Sequence, residues 1–249
     1  MDGIQATNEG DVANYFVCKE LLQKTCGGVC VDIGADQGAW TAMIQAIDSC
    51  RFVYGFEPNP QSYQTLGRNL EAKPHRHMQL FQTAISDISG SVILSQAGAQ
   101  SSIVTDGSGV EVACRPLTHF LEPHEFICIA KIDTEGHDLH VLRSLYPLLE
   151  QERVRSIVTE WTPYAYGTTK EECYTRSLEV LEKVAAYFPW VYALSRSGPP
   201  FLVCLTSAEQ REEFLTDHLY RKLQTDLLFT QQRIESLPVV EFEVDMWYA

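Results

Sequence analysis

The sequence predicts an α/β fold with a mostly parallel sheet and helices on both of its faces. Apolar runs of strand length alternate with helical patterns along the whole chain, which is typical of parallel sheets covered on both faces. The first of these runs leads through a glycine turn at 31–38 into a helix, and the next run ends in the acidic Glu57. We expect a seven-stranded sheet with a terminal antiparallel hairpin.

The individual elements follow from local patterns. Helical periodicity predicts helices at 11–24, 38–48, 60–71, from about 138, and at 170–187. Apolar runs predict strands at 29–33, 51–56, 77–83, 91–95, 110–115, 126–132, 154–160, 190–195 and 200–206. Because only Ser197-Gly198-Pro199-Pro200 separates the last two runs, we expect them to pair as the hairpin.

The chain is expected to form a single domain over residues 1–249, since it shows no internal repeat and no linker. A chain of this length can bury a full core. We expect the core at about 25–206. Residues 207–235 are charged and amphipathic and predict a helix, whereas the tail at 237–244 alternates like an edge strand.

The composition excludes several function classes. The chain is 45% hydrophobic and 21% charged, as in an ordinary globular protein. Its net charge of −14 argues against nucleic acids and anionic membranes as general partners. No apolar run approaches the roughly 18–20 residues of a membrane span, and the N-terminus lacks the features of a signal peptide. We therefore expect a cytoplasmic protein without a membrane span.

The cysteines indicate the same compartment. There are eight of them, scattered along the chain, and several lie inside apolar runs. Cys26 and Cys30 are close in sequence, but no second metal-type pair accompanies them. We expect buried, reduced thiols rather than a disulfide framework or a structural zinc site.

The glycine turn and Glu57 together predict a site for a nucleoside-type cofactor. Gly34 can adopt backbone angles that other residues avoid, and Gly38 allows close approach where the helix begins. Glu57 lies where a carboxylate can accept hydrogen bonds from both hydroxyls of a ribose. A tight turn without a ligand is the alternative, which the position of Glu57 disfavours.

Asp32 bears on which cofactor is bound. Dinucleotide sites prefer G-x-G-x-x-G, because the pyrophosphate needs several amides at a helix N-terminus. Here Asp32 replaces the first glycine of that pattern. An acid beside the turn repels a pyrophosphate and suits a cation. S-adenosylmethionine carries a sulfonium and an ammonium and no phosphate, so it is the predicted cofactor.

Four side chains are candidates for catalysis at the same edge of the sheet. Asp133, Glu135 and His137 follow one predicted strand, and Glu160 ends the next. Methyl transfer from a sulfonium to an alcohol needs aligned reactants and a base for the hydroxyl proton. His137 has the intrinsic pKa nearest to neutrality, and either Glu135 or Glu160 could orient it or act as the base.

These side chains also have structural interpretations. His137 fits the first turn of a helix, Glu135 could cap backbone amides, and Glu160 could pair with Lys131. The same groups offer ligands for a metal ion, but the spacing does not require one, and we expect none. The remaining histidines considered, His75, His77 and His140, are interpreted as structural or solvated.

Two loops could add to the site. Trp161, Tyr164 and Tyr166 follow the strand that ends in Glu160, and they could either stack on a sugar face or pack a lid on the domain. The polar loop at 97–109 could close over the cofactor.

Three stretches resemble the FkbM-type S-adenosylmethionine-dependent methyltransferases. They are VDIGADQGAWT at 31–41, FEPNPQSYQTLGRNL at 56–70 and KIDTEGHDLHVL at 131–142. The segment TAISDISGSVIL at 83–94 is also similar to the family's stretch after the third strand. The resemblance runs from about residue 28 to 163, and the K-I-D-x-E-G block is its most specific element.

The resemblance implies a single class I methyltransferase domain, a Rossmann-like fold, with O-methylation of hydroxyls on sugars or polyketide-like products. It implies cofactor contacts at Asp32, Gly34 and Gly38, ribose contacts at Glu57, and adenine contacts near Ala84 and Ile85. The full expected cofactor site is Asp32, Gly34, Ala35, Gly38, Glu57, Pro58, Ala84, Ile85 and Asp133.

Some residues depart from the family pattern. Asp36 stands where Asn is common, His137 where a small residue is common, and Thr118-His119 replaces a usual Leu-Asp. These departures concern the acceptor pocket more than the cofactor site. The residues after the resemblance are expected to shape substrate choice or assembly.

The leading hypothesis is therefore an S-adenosylmethionine-dependent O-methyltransferase that acts on a hydroxyl of a sugar or glycan. A polyketide-like or other small metabolite is an alternative acceptor. A non-catalytic cofactor-binding module of a larger assembly and a nicotinamide-dependent oxidoreductase are further alternatives. The sequence predicts neither the acceptor molecule nor the oligomeric state.

Overall fold

The computed structural model describes residues 10–25, 27–49, 51–71, 77–95, 103–104, 109–196 and 199–243. Its α-helices are α1 (Gly10–Lys24), α2 (Ala39–Ile47), α3 (Pro60–Glu71), α4 (Asp138–Ser144), α5 (Tyr146–Glu150), α6 (Lys170–Ala185) and α7 (Ala208–Arg221). Its strands are β1 (Val29–Ile33), β2 (Phe52–Phe56), β3 (Met78–Phe81), β4 (Ala84–Ile85), β5 (Gly90–Leu94), β6 (Ile103–Val104), β7 (Val110–Arg115), β8 (Ile127–Ile132), β9 (Ser156–Trp161), β10 (Trp190–Leu194), β11 (Leu202–Cys204), β12 (Thr225–Thr230) and β13 (Val239–Glu241).

The main sheet has the strand order of the expected class. Within the described residues it comprises nine strands, in the order β13-β11-β10-β12-β9-β8-β1-β2-β3. Strands β3, β2, β1, β8 and β9 pair in parallel. Next to β1 the chain order reverses, because β2 and β3 continue to one side while β8 and β9 continue to the other. Ligands of open parallel sheets bind at the carboxyl ends of the strands at such a point.

The C-terminal part of the sheet differs from the prediction. A helix was predicted throughout 207–235, but α7 ends at Arg221, Lys222 adopts a left-handed φ of 56°, and β12 follows. Strand β12 lies between β9 and β10 and is antiparallel to both. The segment forms a strand because its apolar run, Leu227-Leu228-Phe229, is fully buried in the sheet.

The predicted hairpin is confirmed, but its place in the sheet was not foreseen. Strands β10 and β11 pair in antiparallel fashion, with Tyr192 opposite Cys204. The antiparallel strand that joins the parallel set is nevertheless β12, and β11 and β13 extend the sheet beyond β10. The expected fold class is confirmed, and these additions explain why the described residues give nine strands instead of seven.

The structure contains a second, smaller sheet. In the part of the chain that is described it has four strands, in the order β4-β7-β5-β6. It contains the two strands predicted at 91–95 and 110–115. The sequence predicts that the loop at 97–109 could close over the cofactor. Most of that loop lies outside the described residues.

The core confirms that helices cover both faces of the main sheet. On one face, buried side chains of α4, α6 and α7 pack on the sheet, among them Leu142, Leu181 and Phe214. On the other face, α1 and α2 contribute residues such as Val17 and Ile44. No helix in the described ranges combines the length and the apolar character that crossing a membrane would require.

The described cysteines carry free thiols. Cys18, Cys30, Cys114, Cys128 and Cys173 are buried, and Cys204 is half-buried. Cys26 and Cys50 lie outside the described residues.

Gly34 is a point of very close backbone contact. Its φ of 80° lies in the left-handed region that residues with a Cβ disfavour. A Cβ built on Gly34 would lie 1.7 Å from the carbonyl oxygen of Asp133. The amide of Asp133 in turn donates to the carbonyl of Ile33 at 3.0 Å. A side chain at position 34 would therefore require the backbone after β1 or β8 to move.

We predict that Gly34→Ala lowers the free energy of unfolding by about 3 kcal/mol or more. The left-handed backbone alone costs a residue with a Cβ about 1–2 kcal/mol, and the contact with Asp133 adds to that cost. Urea denaturation measures the change. As a control, Gly67→Ala in α3 adds a Cβ with no atom within 4 Å, and it should be neutral or stabilising by about 0.5–1 kcal/mol. Equal stability of the two variants would contradict this packing.

Candidate active site

The turn between β1 and α2 is held by hydrogen bonds to the end of β2. The amides of Gly34 and Ala35 both donate to the carbonyl of Phe56, at 2.9 and 3.0 Å. The amide of Gly38 donates to the carbonyl of Ala35 at 2.8 Å, and the amide of Asp36 donates to Glu57 Oε2 at 2.8 Å. These four amides of the turn are thus engaged within the protein.

The backbone conformation at position 36 favours an Asp over most other residues. Its φ is 42°, in the region that Asn and Asp tolerate better than other residues with a Cβ. Its Oδ1 accepts a hydrogen bond from the hydroxyl of Ser62 at 2.9 Å. An Asp at this position therefore fits both the backbone conformation and this hydrogen bond.

Glu57 is buried and joins the two loops that follow β1 and β2. Its Oε2 accepts from the amide of Asp36, and its Oε1 accepts from the amide of Asn59 at 2.7 Å. Only 6% of the residue is exposed. Burial raises the pKa of Glu57 to about 7, although both amide hydrogen bonds oppose the shift. The carboxyl group therefore titrates near neutral pH.

The side chain of Asp32 is buried below the glycine turn and does not reach the protein surface. The residue is fully buried, and Oδ2 accepts a hydrogen bond from the hydroxyl of Thr41 at 2.6 Å. No described group donates a hydrogen bond to Oδ1. Burial raises the pKa of Asp32, while the charge of Lys131 opposes this shift. Asp32 thus leaves one buried acceptor atom unsatisfied close to the turn.

A cleft with a volume of about 240 Å³ lies at the carboxyl ends of the parallel strands. Among the predicted site residues, its lining includes Gly34, Glu57, Pro58, Ala84, Ile85, Asp133, Glu135 and His137. Asp32, Ala35, Gly38 and Glu160 do not line it. The side chain of Ala35 packs instead with α3, where Leu66 also limits the space beside Gly38.

An ion pair anchors the segment after β8. Lys131 Nζ lies 2.8 Å from Asp133 Oδ2. Burial by itself would lower the pKa of Lys131, but the carboxylates of Asp133 and Asp32 outweigh that effect and raise it. The ammonium group is therefore charged and compensates the acids around it. The structure thus pairs Lys131 with Asp133 and not with Glu160.

Asp138 shapes the loop that carries Glu135 and was not identified from the sequence. Its Oδ1 accepts from the amide and the hydroxyl of Thr134, at 2.9 and 2.8 Å, and its Oδ2 accepts from the amide of Gly136 at 3.2 Å. The side chain is fully buried. The signal that was available is a Thr four residues before an Asp, around an E-G pair.

Glu135 projects from this loop with a left-handed φ of 51°. The residue is exposed overall, and it lines the cleft. Partial burial of its carboxyl group, followed by the charge of Asp133, raises the pKa of Glu135. A carboxylate with a raised pKa is a stronger base than an ordinary one.

Glu160 lies near the end of β9 and does not line the cleft. It is buried, accepts a hydrogen bond from the amide group of Gln224, and lies opposite Asp226 of β12. Burial, followed by the charges of Asp133 and other nearby acids, raises the pKa of Glu160 to about 9. The group is therefore protonated at neutral pH. Gln224 and Asp226 were missed because their segment was predicted to be helical.

His137 lines the cleft and contacts the segment that follows β4. Its Nε2 lies 3.1 Å from the hydroxyl oxygen of Ser86. Its ring stacks on His140, with centroids 4.6 Å apart and an interplanar angle of 11°, and His140 Nδ1 lies 2.9 Å from Asp87 Oδ1. Burial, followed by the charge of His140, lowers the pKa of His137 to about 4. The imidazole is therefore neutral at pH 7.

Trp161 ends β9, and Tyr164 and Tyr166 follow it; these three aromatic residues do not form a common exposed surface. Trp161 and Tyr166 are buried and contact each other edge to face, with centroids 5.5 Å apart. Tyr164 alone among the three is substantially exposed, at 37%. The interpretation as packing of a lid therefore fits Trp161 and Tyr166.

The described part of the chain contains no group of three or more His, Cys, Asp or Glu side chains arranged to hold a metal ion. The ammonium of Lys131 already supplies positive charge beside Asp133. Function without a metal ion stays a prediction.

A family model places the chain among known methyltransferases. The model for the methyltransferase FkbM domain matches residues 32–221, which is more than half of the chain. The match continues past residue 163, so the expectation that the family pattern ends there is wrong. No curated protein sequence matches the chain significantly.

Solved methyltransferase structures are similar at low sequence identity. Precorrin-6y C5,15-methyltransferase from Geobacter metallireducens GS-15 is 10% identical, with a TM-score of 0.46, over 89% of this chain and 88% of that chain. The plantazolicin methyltransferase BpumL, in complex with SAH, is 11% identical, with a TM-score of 0.44, over 88% and 82%. The METTL16 MTase domain is 13% identical, with a TM-score of 0.47, over 90% and 68%. From the family match, the chain belongs to the FkbM family of S-adenosylmethionine-dependent methyltransferases.

Proposed function

We propose that the protein is an O-methyltransferase that binds S-adenosylmethionine in this cleft and methylates a hydroxyl group, with a sugar or glycan as the favoured acceptor. The observation that carries the proposal is the buried Glu57 in the wall of the cleft. Each carboxylate oxygen keeps a lone pair besides the one that accepts from Asp36 or Asn59. Glu57 can therefore accept hydrogen bonds from two ribose hydroxyls.

The turn before α2 favours this cofactor over a dinucleotide. The amides of Gly34, Ala35 and Asp36 donate to Phe56 or Glu57 and are not free to surround a pyrophosphate. The carboxylates that line the cleft favour a ligand that brings positive charge or hydrogen-bond donors. A sulfonium and an ammonium meet that requirement.

The other end of the cleft is suited to a nucleobase. Ala84 and Ile85 line it, and Leu94 and Ile103 of the smaller sheet complete an apolar surface. Strand β3, which precedes this segment, is the outermost strand on its side of the sheet. Adenine at this end and ribose at Glu57 form the proposed arrangement.

Glu135 is the proposed general base. When bound, S-adenosylmethionine supplies an electrophilic methyl group whose sulfur leaves as a neutral thioether. The acceptor hydroxyl must lose its proton as its oxygen attacks, and Glu135 lines the cleft with a raised pKa that suits this task. The proton would pass from the hydroxyl to the carboxylate of Glu135.

Asp133 and Glu160 are proposed to support this base. Lys131 compensates the charge of Asp133, which lines the cleft and can accept from the amino-acid part of the cofactor. Glu160, with a pKa of about 9, adds no second negative charge beside Glu135 at neutral pH. A protonated Glu160 thereby limits the repulsion that Asp133, Glu135 and Glu160 would otherwise produce together.

The proposed acceptor class follows from the chemistry of the same end of the cleft. Carboxylates such as Asp133 and Glu135 accept hydrogen bonds from hydroxyl groups, which sugars offer in number. The exposed ring of Tyr164 follows β9 at this edge. A polyketide-like or other small metabolite with a hydroxyl group is the alternative acceptor.

We predict that Glu57→Gln weakens the binding of S-adenosylhomocysteine about 10-fold to 100-fold. The substitution removes a charged acceptor, and hydrogen bonds to charged groups contribute about 1.5–3 kcal/mol. Isothermal titration calorimetry measures the change, with Glu150→Gln, at the exposed end of α5, as a control that should bind like the wild type. Absence of binding to the wild type, or undiminished binding to Glu57→Gln, would refute the proposed site.

The affinity should also depend on pH. Ribose hydroxyls favour the ionised form of Glu57, whose pKa in the unliganded protein is about 7. Below that pH, binding must displace a proton, so the affinity should fall about tenfold for each pH unit. Above it, the affinity should level off. Calorimetry between pH 5.5 and 8.5 should give this slope for the wild type and a flatter one for Glu57→Gln.

We predict that Glu135→Gln retains S-adenosylhomocysteine binding and lowers turnover about 10²-fold to 10⁴-fold, the usual contribution of a general base. Mass spectrometry of singly methylated products from a panel of sugars and glycosides, with isotopically labelled cofactor, measures turnover. Full turnover by Glu135→Gln would show that another group takes the proton.

Chelation tests the expected independence from metals. Turnover in the same assay should be unchanged by EDTA, because Lys131 and the protonated Glu160 already balance charge at the acidic end. Loss of turnover with EDTA and its recovery with magnesium would contradict this expectation.

A further inference from the structure

We infer that His137 is a cofactor-binding residue, a wall for the nucleobase, rather than the base of the reaction. The proposed ligand is a planar purine ring between the imidazole and the apolar side of the cleft. This inference rests on the proposed function, because it assigns one part of the same cofactor site.

His137 contacts a segment that is distant from it in the chain. It belongs to the loop after β8, and yet its Nε2 lies 3.1 Å from the hydroxyl of Ser86. Ser86 is buried and directly follows Ala84 and Ile85, which line the apolar end of the cleft. His137 lines the same cleft. The hydrogen bond therefore fixes the ring beside the segment assigned to the nucleobase.

The ring of His137 is held by contacts within the protein. His140 stacks on His137 at 4.6 Å with nearly parallel planes. Asp87 holds His140 in turn, through a contact of 2.9 Å with Nδ1. A ring held by a hydrogen bond and a stack loses little rotational freedom when a ligand binds. Such preorganisation favours affinity.

The surroundings of His137 keep its imidazole neutral. Burial, followed by the charge of His140, lowers the pKa of His137, and Asp87 opposes the shift only in part. The resulting neutral ring can stack on a nucleobase but has little affinity for a proton at neutral pH. In contrast, burial, followed by the charges of Asp133 and Asp138, raises the pKa of Glu135.

Apolar side chains line the same cleft and can contact a flat ring. Ile85 and Leu94 are buried apolar residues that line the cleft, and Ile103 adds to them. Stacking of a base on an aromatic side chain contributes about 1–3 kcal/mol, which corresponds to about 5-fold to 150-fold in affinity. Removal of the His137 ring should therefore be visible in the binding of any ligand that carries adenine.

The test compares two ligands and three variants by calorimetry. S-adenosylhomocysteine contains the amino-acid part, whereas 5′-methylthioadenosine lacks it and keeps the adenosine. We expect His137→Ala to weaken both ligands by a similar factor of about 5-fold to 150-fold. His137→Phe keeps an aromatic ring and should bind both ligands better than His137→Ala. His124→Ala, at an exposed turn, is the control and should bind like the wild type.

The outcomes separate this inference from the proposed function. If the wild type binds neither ligand, the proposed cofactor site is wrong. If the wild type binds both and His137→Ala binds them equally well, the nucleobase wall alone is refuted. A loss for S-adenosylhomocysteine without a loss for 5′-methylthioadenosine would also refute it. If circular dichroism shows that His137→Ala is unfolded, His137→Phe decides: binding close to the wild type supports the wall, and loss of both ligands contradicts it.

Discussion

The site depends on one buried carboxylate, that of Glu57. It accepts hydrogen bonds from the amides of Asp36 and Asn59 and so holds together the loops that follow β1 and β2. Burial makes this arrangement costly for the charged form and brings the pKa of Glu57 to about 7. A ligand that donates hydrogen bonds to both oxygens offsets that cost. The same group thus organises the cleft and favours a ligand with two adjacent hydroxyls.

A close backbone contact fixes the turn from which Asp36 donates a hydrogen bond to Glu57. The carbonyl of Asp133 lies so close to Gly34 that a Cβ there would be 1.7 Å from it. The turn at Gly34 therefore follows a fixed path, and its amides donate to Phe56 and Glu57. With those amides engaged and acids nearby, the cleft suits a cationic nucleoside better than a pyrophosphate. The geometry at the carboxyl ends of β1 and β8 thus favours one class of cofactor over the other.

Patterns that are local in sequence predicted the structure well, and contacts between distant segments could not be predicted in the same way. The glycine turn, the acid at the end of β2 and the parallel strands on either side of β1 follow from short-range rules. Strand β12 was missed because the charged residues of α7 extended the helical pattern over it. The stack of His137 and its contact with Ser86 join segments far apart in the chain, and a sequence alone gives no measure of their burial.

Charge balance explains how several acids share one edge of the sheet. Lys131 pairs with Asp133, and Glu160 is protonated, with a pKa of about 9. A crystal structure of the complex with S-adenosylhomocysteine tests the central claim most directly. The account predicts both ribose hydroxyls within hydrogen-bonding distance of Glu57, with the adenine between His137 and Ile85. A ribose bound away from Glu57, or a ligand outside this cleft, would contradict it.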